Sequence, residues 1–197
     1  MKKILLAGIL GGIVMFVWGA VVHMNPITGP MGLSMLNEKE DVVLAAVRDN
    51  VPQPGMYFFP GRDMTKNMSK EEEAAWTAKF KTGPSGLLLV QPKGAEPMTT
   101  GQLAREFALN FFCALIAAFI LASTIGSYLC RVGMVTLIGL FSWLAISMAY
   151  WNWYLFPFPL VALDAIDQVI GWLLAGFLIA KIVKPPTAPA PAPVAAS

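Results

Sequence analysis

The feature that most constrains this chain is the length of its uncharged segments. Residues 4–22, 107–130 and 132–163 contain no Asp, Glu, Lys or Arg, and residues 168–180 form a fourth, shorter run before Lys181. A helix needs about 20 apolar residues to cross a hydrocarbon core of roughly 30 Å, because each residue adds about 1.5 Å. Only 13% of the residues are charged, against about 25% in soluble domains. We therefore expect an integral membrane protein.

The first uncharged run follows Lys2 and Lys3, an arrangement that suits either a signal peptide or an uncleaved anchor. Its apolar part is longer than the roughly 7–15 residues of a signal-peptide core, and no A-x-A cleavage pattern follows it. We therefore expect residues 1–23 to form an uncleaved first transmembrane helix.

The run 132–163 is too long for one ordinary span, and it contains Pro157 and Pro159, which interrupt helices. Before these prolines stands an aromatic segment, and Trp and Tyr favour the membrane–water interface. Its interfacial aromatic residues are Tyr150, Trp151, Trp153 and Tyr154. We predict a third helix over 132–150, an aromatic turn, and a fourth helix over 160–180. The shorter run 168–180 alone would cover only about 20 Å.

Basic residues indicate how these helices are threaded. They stand at both termini and between the second and third spans: Lys2, Lys3, Arg131, Lys181 and Lys184. The turn 151–160 has no basic residue. The positive-inside rule then predicts a mainly α, four-helix bundle with both termini in the cytoplasm, in the cell inner (cytoplasmic) membrane. The segment 24–105 becomes an extracytoplasmic insertion. It exceeds about 60 residues, so its charges do not decide the topology.

The insertion 24–105 predicts a small α+β region. Three stretches have the spacing of a capping box, in which two side chains bond the first backbone N–H groups of a helix: Asn37–Glu40, Ser69–Glu72 and Thr99–Gln102. The third box starts a helix that continues into the second span. Residues 56–60 and 86–90 are strand candidates.

The remainder of the chain divides into the last three spans, residues 106–184, and a Pro/Ala-rich tail, residues 185–197. Such a tail is expected to be disordered and, in this topology, cytoplasmic. Cys113 and Cys130 would lie about 25 Å apart if they shared one helix, so they could not form a disulfide there.

Helix periodicity places polar side chains on common faces near the outer side of the bundle. The expected polar cluster consists of His23, Glu106, Asn110, Asp164, Asp167 and Gln168. Small residues that allow close helix packing share these faces: Gly8, Gly12, Gly19, Gly171 and Ala175. Ionisable residues within spans usually face the bundle interior. The alternative is that the acids stand near helix N-termini at the interface, where the helix dipole favours carboxylates.

Function is less constrained than topology. The chain has no Walker loop, dinucleotide fingerprint, nucleophile elbow or HExxH motif, and its net charge of +2 does not predict nucleic-acid binding. No His/Cys spacing predicts a metal site, although the methionines outside the spans, among them Met31 and Met35, could suit Cu(I). More often methionine simply fills gaps.

We expect a non-enzymatic protein without a cofactor, typical of small bacterial inner-membrane proteins. It would act as an accessory subunit, assembly factor or envelope scaffold, with the lipid bilayer and either a membrane-protein partner or further copies of itself as its contacts. The alternative is a small transporter or ion-coupling protein that uses the outer-leaflet acids and His23. An enzyme would need His23 beside a carboxylate in a water-accessible pocket.

Overall fold

A computed structural model of the chain describes residues 1–186. Its helices are α1 (Lys2–His23), α2 (Glu40–Asn50), α3 (Lys70–Thr82), α4 (Thr100–Ala122), α5 (Tyr128–Tyr154) and α6 (Phe158–Ile182), and its strands are β1 (Gly55–Phe59) and β2 (Gly86–Val90). Four helices, α1, α4, α5 and α6, are long and apolar enough to cross a membrane. The prediction of four spanning helices is therefore confirmed. Residues 187–197, most of the predicted tail, lie outside the described residues.

The connection between the second and third spans lies earlier than the charge pattern predicted. α4 ends at Ala122, not at Cys130, and Ser127 caps α5 by accepting a hydrogen bond from the backbone N–H of Cys130. Arg131 therefore lies in the first turn of α5 instead of between the helices. Cys113 and Cys130 belong to different helices, and neither forms a disulfide.

The connection between the third and fourth spans is shorter than predicted. α5 continues to Tyr154, so the aromatic segment forms its last turns, and Leu155 follows in the left-handed conformation with φ of 61°. α6 begins at Phe158 and accommodates Pro159 in its first turn. A proline there costs nothing in backbone hydrogen bonding, because the first N–H groups of a helix have no partner within it. The predicted interruption of the run 132–163 is present at residues 155–157, but Pro159 lies inside α6 and not before it.

Glycines on α1 set its distance from α4 and α6. A Cβ atom at Gly12 would stand 2.8 Å from Phe111 Cα, and one at Gly8 would stand 3.0 Å from the Leu115 side chain on the same helix, α4. A Cβ atom at Gly11 would meet Ile179 of α6 at 2.9 Å. The α1 backbone thus lies directly against its neighbours, antiparallel to both. Alanines complete the buried core: Ala7, Ala114, Ala117, Ala118 and Ala175.

Arg131 joins three helices at one end of the bundle. Its residue is 1% exposed, and its guanidinium donates to the carbonyl oxygens of Leu121 and Val183, each at 2.8 Å. Lys2 lines a groove with Phe119 at the same end. The N-terminus, the 123–127 turn and the end of α6 therefore share one side of the bundle, called here the terminal end. His23 and the 155–157 turn lie at the opposite, insertion end.

The insertion is built on a two-stranded antiparallel sheet and two helices. Gly55 of β1 pairs with Val90 of β2, and Phe59 pairs with Gly86. On α3, the Phe80 ring lies 6.1 Å from that of Phe58, which attaches this helix to β1. These elements confirm the predicted strands, within one residue of the expected bounds.

Two of the three predicted capping boxes are present. Ser69 caps α3 with Glu72, and Thr99 caps α4 with Gln102. The prediction of a capping box at Asn37–Glu40 was wrong. Asn37 begins a short 3₁₀ turn with φ of 49°, and α2 starts at Glu40 without a side-chain cap.

The insertion also contacts the spanning helices. Gly32 has a φ of 76°, and a Cβ atom there would stand 2.5 Å from the backbone nitrogen of Leu160 near the start of α6. Glycine is required at this position both for its conformation and for the close approach. The chain after α1 is thereby held over the insertion end of the bundle.

Candidate functional site

A cleft of about 340 Å³ opens at the insertion end between α1, α4 and α6. It is lined by five of the six residues of the predicted polar cluster: His23, Glu106, Asn110, Asp167 and Gln168. The rest of its lining is largely apolar, with Met15, Phe16, Ala20, Met24, Met98 and Leu103. Asp164 does not line it. The cleft therefore combines a few convergent polar groups with an apolar wall, as small-ligand sites usually do.

Asp167 is the central polar residue of the cleft. Its Oδ2 lies 3.8 Å from His23 Nε2 and accepts a hydrogen bond of 3.2 Å from Gln168 Nε2. Its Oδ1 is buried and has no hydrogen-bond partner within residues 1–186. The Asp167 side chain is 17% exposed and that of His23 is 50% exposed. The pair thus links α1 to α6 while His23 stays accessible from outside.

Gln168 is fixed by three hydrogen bonds. Its Oε1 accepts from Ser142 Oγ of α5 and from Trp172 Nε1 of α6, each at 3.2 Å, while its Nε2 donates to Asp167. With both donors on the oxygen, the amide nitrogen must face the carboxylate. Sequence reasoning missed Ser142 and Trp172. The i,i+4 spacing of Gln168 and Trp172 was the signal for one of these contacts.

A widened turn in α6 contains two residues of the cleft. Residues Ile166–Ile170 form a π-helical turn, which includes Asp167 and Gln168, whereas Asp164 precedes it. A π turn accommodates one extra residue, so it rotates Asp164 by about 100° relative to residues beyond the turn. The prediction that Asp164 belongs to the same cluster was wrong, because Asp164 does not line the cleft.

Two side chains from other helices support this π turn. Trp18 Nε1 of α1 donates to the carbonyl oxygen of Ile166 at 3.3 Å. Gly139 of α5 lets that helix approach closely, because a Cβ atom there would collide with the carbonyl oxygen of Gln168. The irregular backbone is therefore held from both sides.

Glu106 and Asn110 form the α4 side of the cleft. They lie one helical turn apart, and Glu106 Oε1 accepts a hydrogen bond of 3.0 Å from Asn110 Nδ2. Two carboxylates and one histidine give the cleft a formal charge of −2 or −1, depending on the protonation of His23. Its electrostatic potential therefore disfavours anions.

The remaining packing positions from the sequence have distinct environments. A Cβ atom at Gly19 would lie 3.8 Å from Asp167 Oδ1, so the α1 backbone passes close to the carboxylate. A Cβ atom at Gly171 would lie 2.8 Å from the Trp18 ring. Ala175 is fully buried in the core. Gly11, which sequence reasoning did not select, packs as closely as Gly12.

The interfacial aromatics lie at the insertion end, in the last turns of α5. All four are exposed, and Trp153 is 72% exposed: Tyr150, Trp151, Trp153 and Tyr154. The Tyr150 ring lies 5.3 Å from that of Phe156, and the Trp151 ring lies 6.2 Å from that of Phe158. Exposed aromatics at one level of a bundle are the arrangement that a membrane–water interface favours.

Among residues 1–186, no three His, Cys, Asp or Glu side chains converge in a way that could hold a metal ion. The fold and the cleft define a multi-pass helical membrane protein with a polar, partly apolar cleft at one end of its bundle. Comparisons of the chain with models of protein families, with curated proteins and with solved structures find no match.

Proposed function

We propose that this chain is a non-enzymatic subunit of a membrane complex, acting as an accessory subunit, assembly factor or scaffold, and that its insertion contacts the partner. The observation that carries the proposal is the burial of the insertion. Of residues 24–105, all of which the structure describes, only Pro60 is buried. The insertion thus has secondary structure but almost no core of its own.

Such a region needs apolar surface from elsewhere. β1 is exposed at every position, and on α2 Val42 is 66% exposed and Leu44 is 48% exposed. Ordering the backbone costs about 1–2 kcal/mol per residue, and burial of apolar side chains is the main term that offsets this cost. Contact with a second protein would supply the missing burial.

The chemistry of the insertion indicates the kind of partner. Its basic and acidic residues are equal in number, nine of each, so neither a polyanion nor a polycation is the natural ligand. The exposed residues of α2 and β1 fit an apolar protein surface at the same height above the bilayer. We therefore assign the partner to another protein of the same membrane. With the termini in the cytoplasm, as the positive-inside rule predicts, this contact is extracytoplasmic.

A substitution on α2 tests this assignment. Val43→Lys with Leu44→Lys places charge on the apolar face of α2, and Ala45→Lys is the control on its polar face. We expect the wild type and the control to leave native membranes in mild detergent as a complex larger than the 21.3 kDa chain. The double variant should run as a single chain that still folds, because α2 contributes no buried residue. A wild type that is always monomeric, or a complex that survives the double substitution, contradicts the proposal.

The cleft favours a second candidate function, that of a small transporter or ion-coupling protein. A partly buried carboxylate beside a histidine within a helical bundle is an arrangement that proton- and cation-coupled proteins use. Against conduction through one chain stands the tight packing of α1 on α4 and α6 between the cleft and the terminal end. Cation uptake by liposomes that contain the protein should stop in Asp167→Asn, and uptake unaffected by that change removes this candidate.

A further inference from the structure

The Asp167 carboxylate is only partly satisfied by the side chains around it. Oδ2 is engaged by Gln168 and faces His23, whereas Oδ1 is buried without a partner among residues 1–186. Leaving a buried charged acceptor unsatisfied is costly, so the carboxylate as a whole favours a charged donor in the cleft that Asp167 lines. Gly19 of α1 lies next to Oδ1, because a Cβ atom there would stand 3.8 Å away.

The lining of the cleft narrows the chemistry of that donor. The formal charge of −2 or −1 favours a cation, and the absence of a converging set of metal-binding side chains within residues 1–186 argues against a bare metal ion. Apolar side chains such as Phe16 and Leu103 make up much of the wall, so the cation should carry carbon atoms. The volume of about 340 Å³ lies near the lower end of small-ligand sites, which span roughly 300–1,000 Å³.

We propose that the cleft binds an alkylammonium group, which pairs with the Asp167 carboxylate and packs its carbon atoms against the apolar wall. A primary ammonium has three N–H donors, so it can also bond the acceptors of the α4 wall, where Glu106 supplies a second carboxylate. Phe16 lines the cleft, and an aromatic ring attracts a cation that lies over its face. This proposal is independent of the partner of the insertion, since none of the residues invoked belongs to α2 or β1.

Two sources can supply such a group at this level of the membrane: a free small amine, or the amine of an ethanolamine lipid headgroup. Two assays distinguish these sources, one with free ethanolamine and one with lipid nanodiscs. The full-length protein in detergent is titrated with ethanolamine, and with ethylene glycol as the uncharged molecule of similar size, while thermal unfolding is followed. In parallel, unfolding is compared in nanodiscs of phosphatidylethanolamine and of phosphatidylglycerol.

Stabilisation by ethanolamine but not by ethylene glycol assigns a free amine. Stabilisation only in the phosphatidylethanolamine discs assigns the lipid headgroup. An equal effect of the two small molecules together with equal unfolding in the two kinds of disc overturns the proposal, as does the absence of any effect in both arms.

Variants identify the site. Asp167→Asn should weaken apparent binding about 10-fold to 100-fold, the usual effect of losing a hydrogen bond to a charged group. Asp164→Asn, on the same helix but outside the cleft, should bind as the wild type does. If Asp167→Asn does not fold, Gly19→Val tests the same point, because it adds a side chain to the cleft beside Asp167 and leaves the carboxylate intact. Wild-type binding in a folded Gly19→Val or Asp167→Asn variant overturns the assignment.

Discussion

The close contact of α1 with α4 makes Gly12→Ala the most informative stability test of the bundle. The new Cβ atom would stand 2.8 Å from Phe111 Cα and 2.9 Å from Phe111 N, both backbone atoms that cannot rotate away. Carbon atoms pack best at about 3.5–4.0 Å, so the two helices would have to separate by about 1 Å at this point. Such a shift would loosen the neighbouring contact of Phe16 with Phe107, whose ring centroids lie 6.0 Å apart.

The expected free energy follows from two opposing terms. Adding a methyl group to a closed interface costs about 1–3 kcal/mol. Replacing glycine by alanine inside a helix gains up to about 1 kcal/mol, because the backbone of the unfolded chain loses freedom. The control is Gly133→Ala in α5, where a Cβ atom would have no neighbour within 4 Å among the described residues. This control should therefore show only the gain in unfolding free energy, without the clash.

The difference between the two variants therefore isolates the clash. We expect Gly12→Ala to unfold with a free energy about 1–3 kcal/mol below that of Gly133→Ala. Unfolding by sodium dodecyl sulfate in mixed micelles, followed by tryptophan fluorescence and by far-UV circular dichroism, measures this difference. If Gly12→Ala is as stable as Gly133→Ala, the backbone contact between α1 and α4 is wrong and the close-packed bundle described above must be redrawn.

Two further substitutions test local contacts, each against a matched control. Trp18→Phe removes the donor to the Ile166 carbonyl and should lower the unfolding free energy by about 1–2 kcal/mol in the same micelle assay. The control is Trp153→Phe, at an exposed ring without a hydrogen bond among the described residues. It should change the unfolding free energy by less than about 0.5 kcal/mol. Ser69→Ala removes the cap of α3 and should accelerate hydrogen exchange of its first-turn amides by about five-fold, equivalent to about 1 kcal/mol. The control Ser34→Ala should leave those exchange rates unchanged. Equal rates in both variants would mean that the cap does not stabilise this helix end.

The parts of the fold that the sequence predicted are those set by a single length or a local spacing. The bilayer imposes a minimum helix length, so the uncharged runs were enough to count the spans. The boxes at Ser69 and Thr99 require only residues three positions apart, and both are present. Asn37 matches the same pattern, but the chain there takes a left-handed conformation, which asparagine tolerates. A short motif cannot reveal which of these two structures the surrounding chain imposes.

Charge was a less reliable guide to where helices end. The sequence predicts Arg131 between two spans, because it separates the uncharged runs 107–130 and 132–163. A buried, unpaired guanidinium is costly in a membrane protein. Its cost is offset by the carbonyl oxygens of Leu121 and Val183, which lie at or just beyond the ends of two helices. The Leu121 oxygen also accepts from the backbone N–H of Thr124 at 3.1 Å, since a carbonyl has two lone pairs. A cation that bonds helix C-termini is also favoured by their dipoles. Arg131 was expected to separate two spans, but its hydrogen bonds connect α5 with α4 and α6 instead.

The aspartates of α6 show why the site was only partly predictable. Regular helix geometry put Asp164 and Asp167 on one face. From that alone, the sequence could not show which of the two lines the cleft. The π turn at Ile166–Ile170 changes the phase of Asp164 relative to the residues beyond the turn, and distant residues support it, the indole of Trp18 and the missing side chain of Gly139. Neither contact changes the periodicity of the α6 sequence, so neither could be predicted from that sequence. A helix that carried the same acids without the π turn would present a different face to α1, so the cleft is a property of the packed bundle and not of α6 alone.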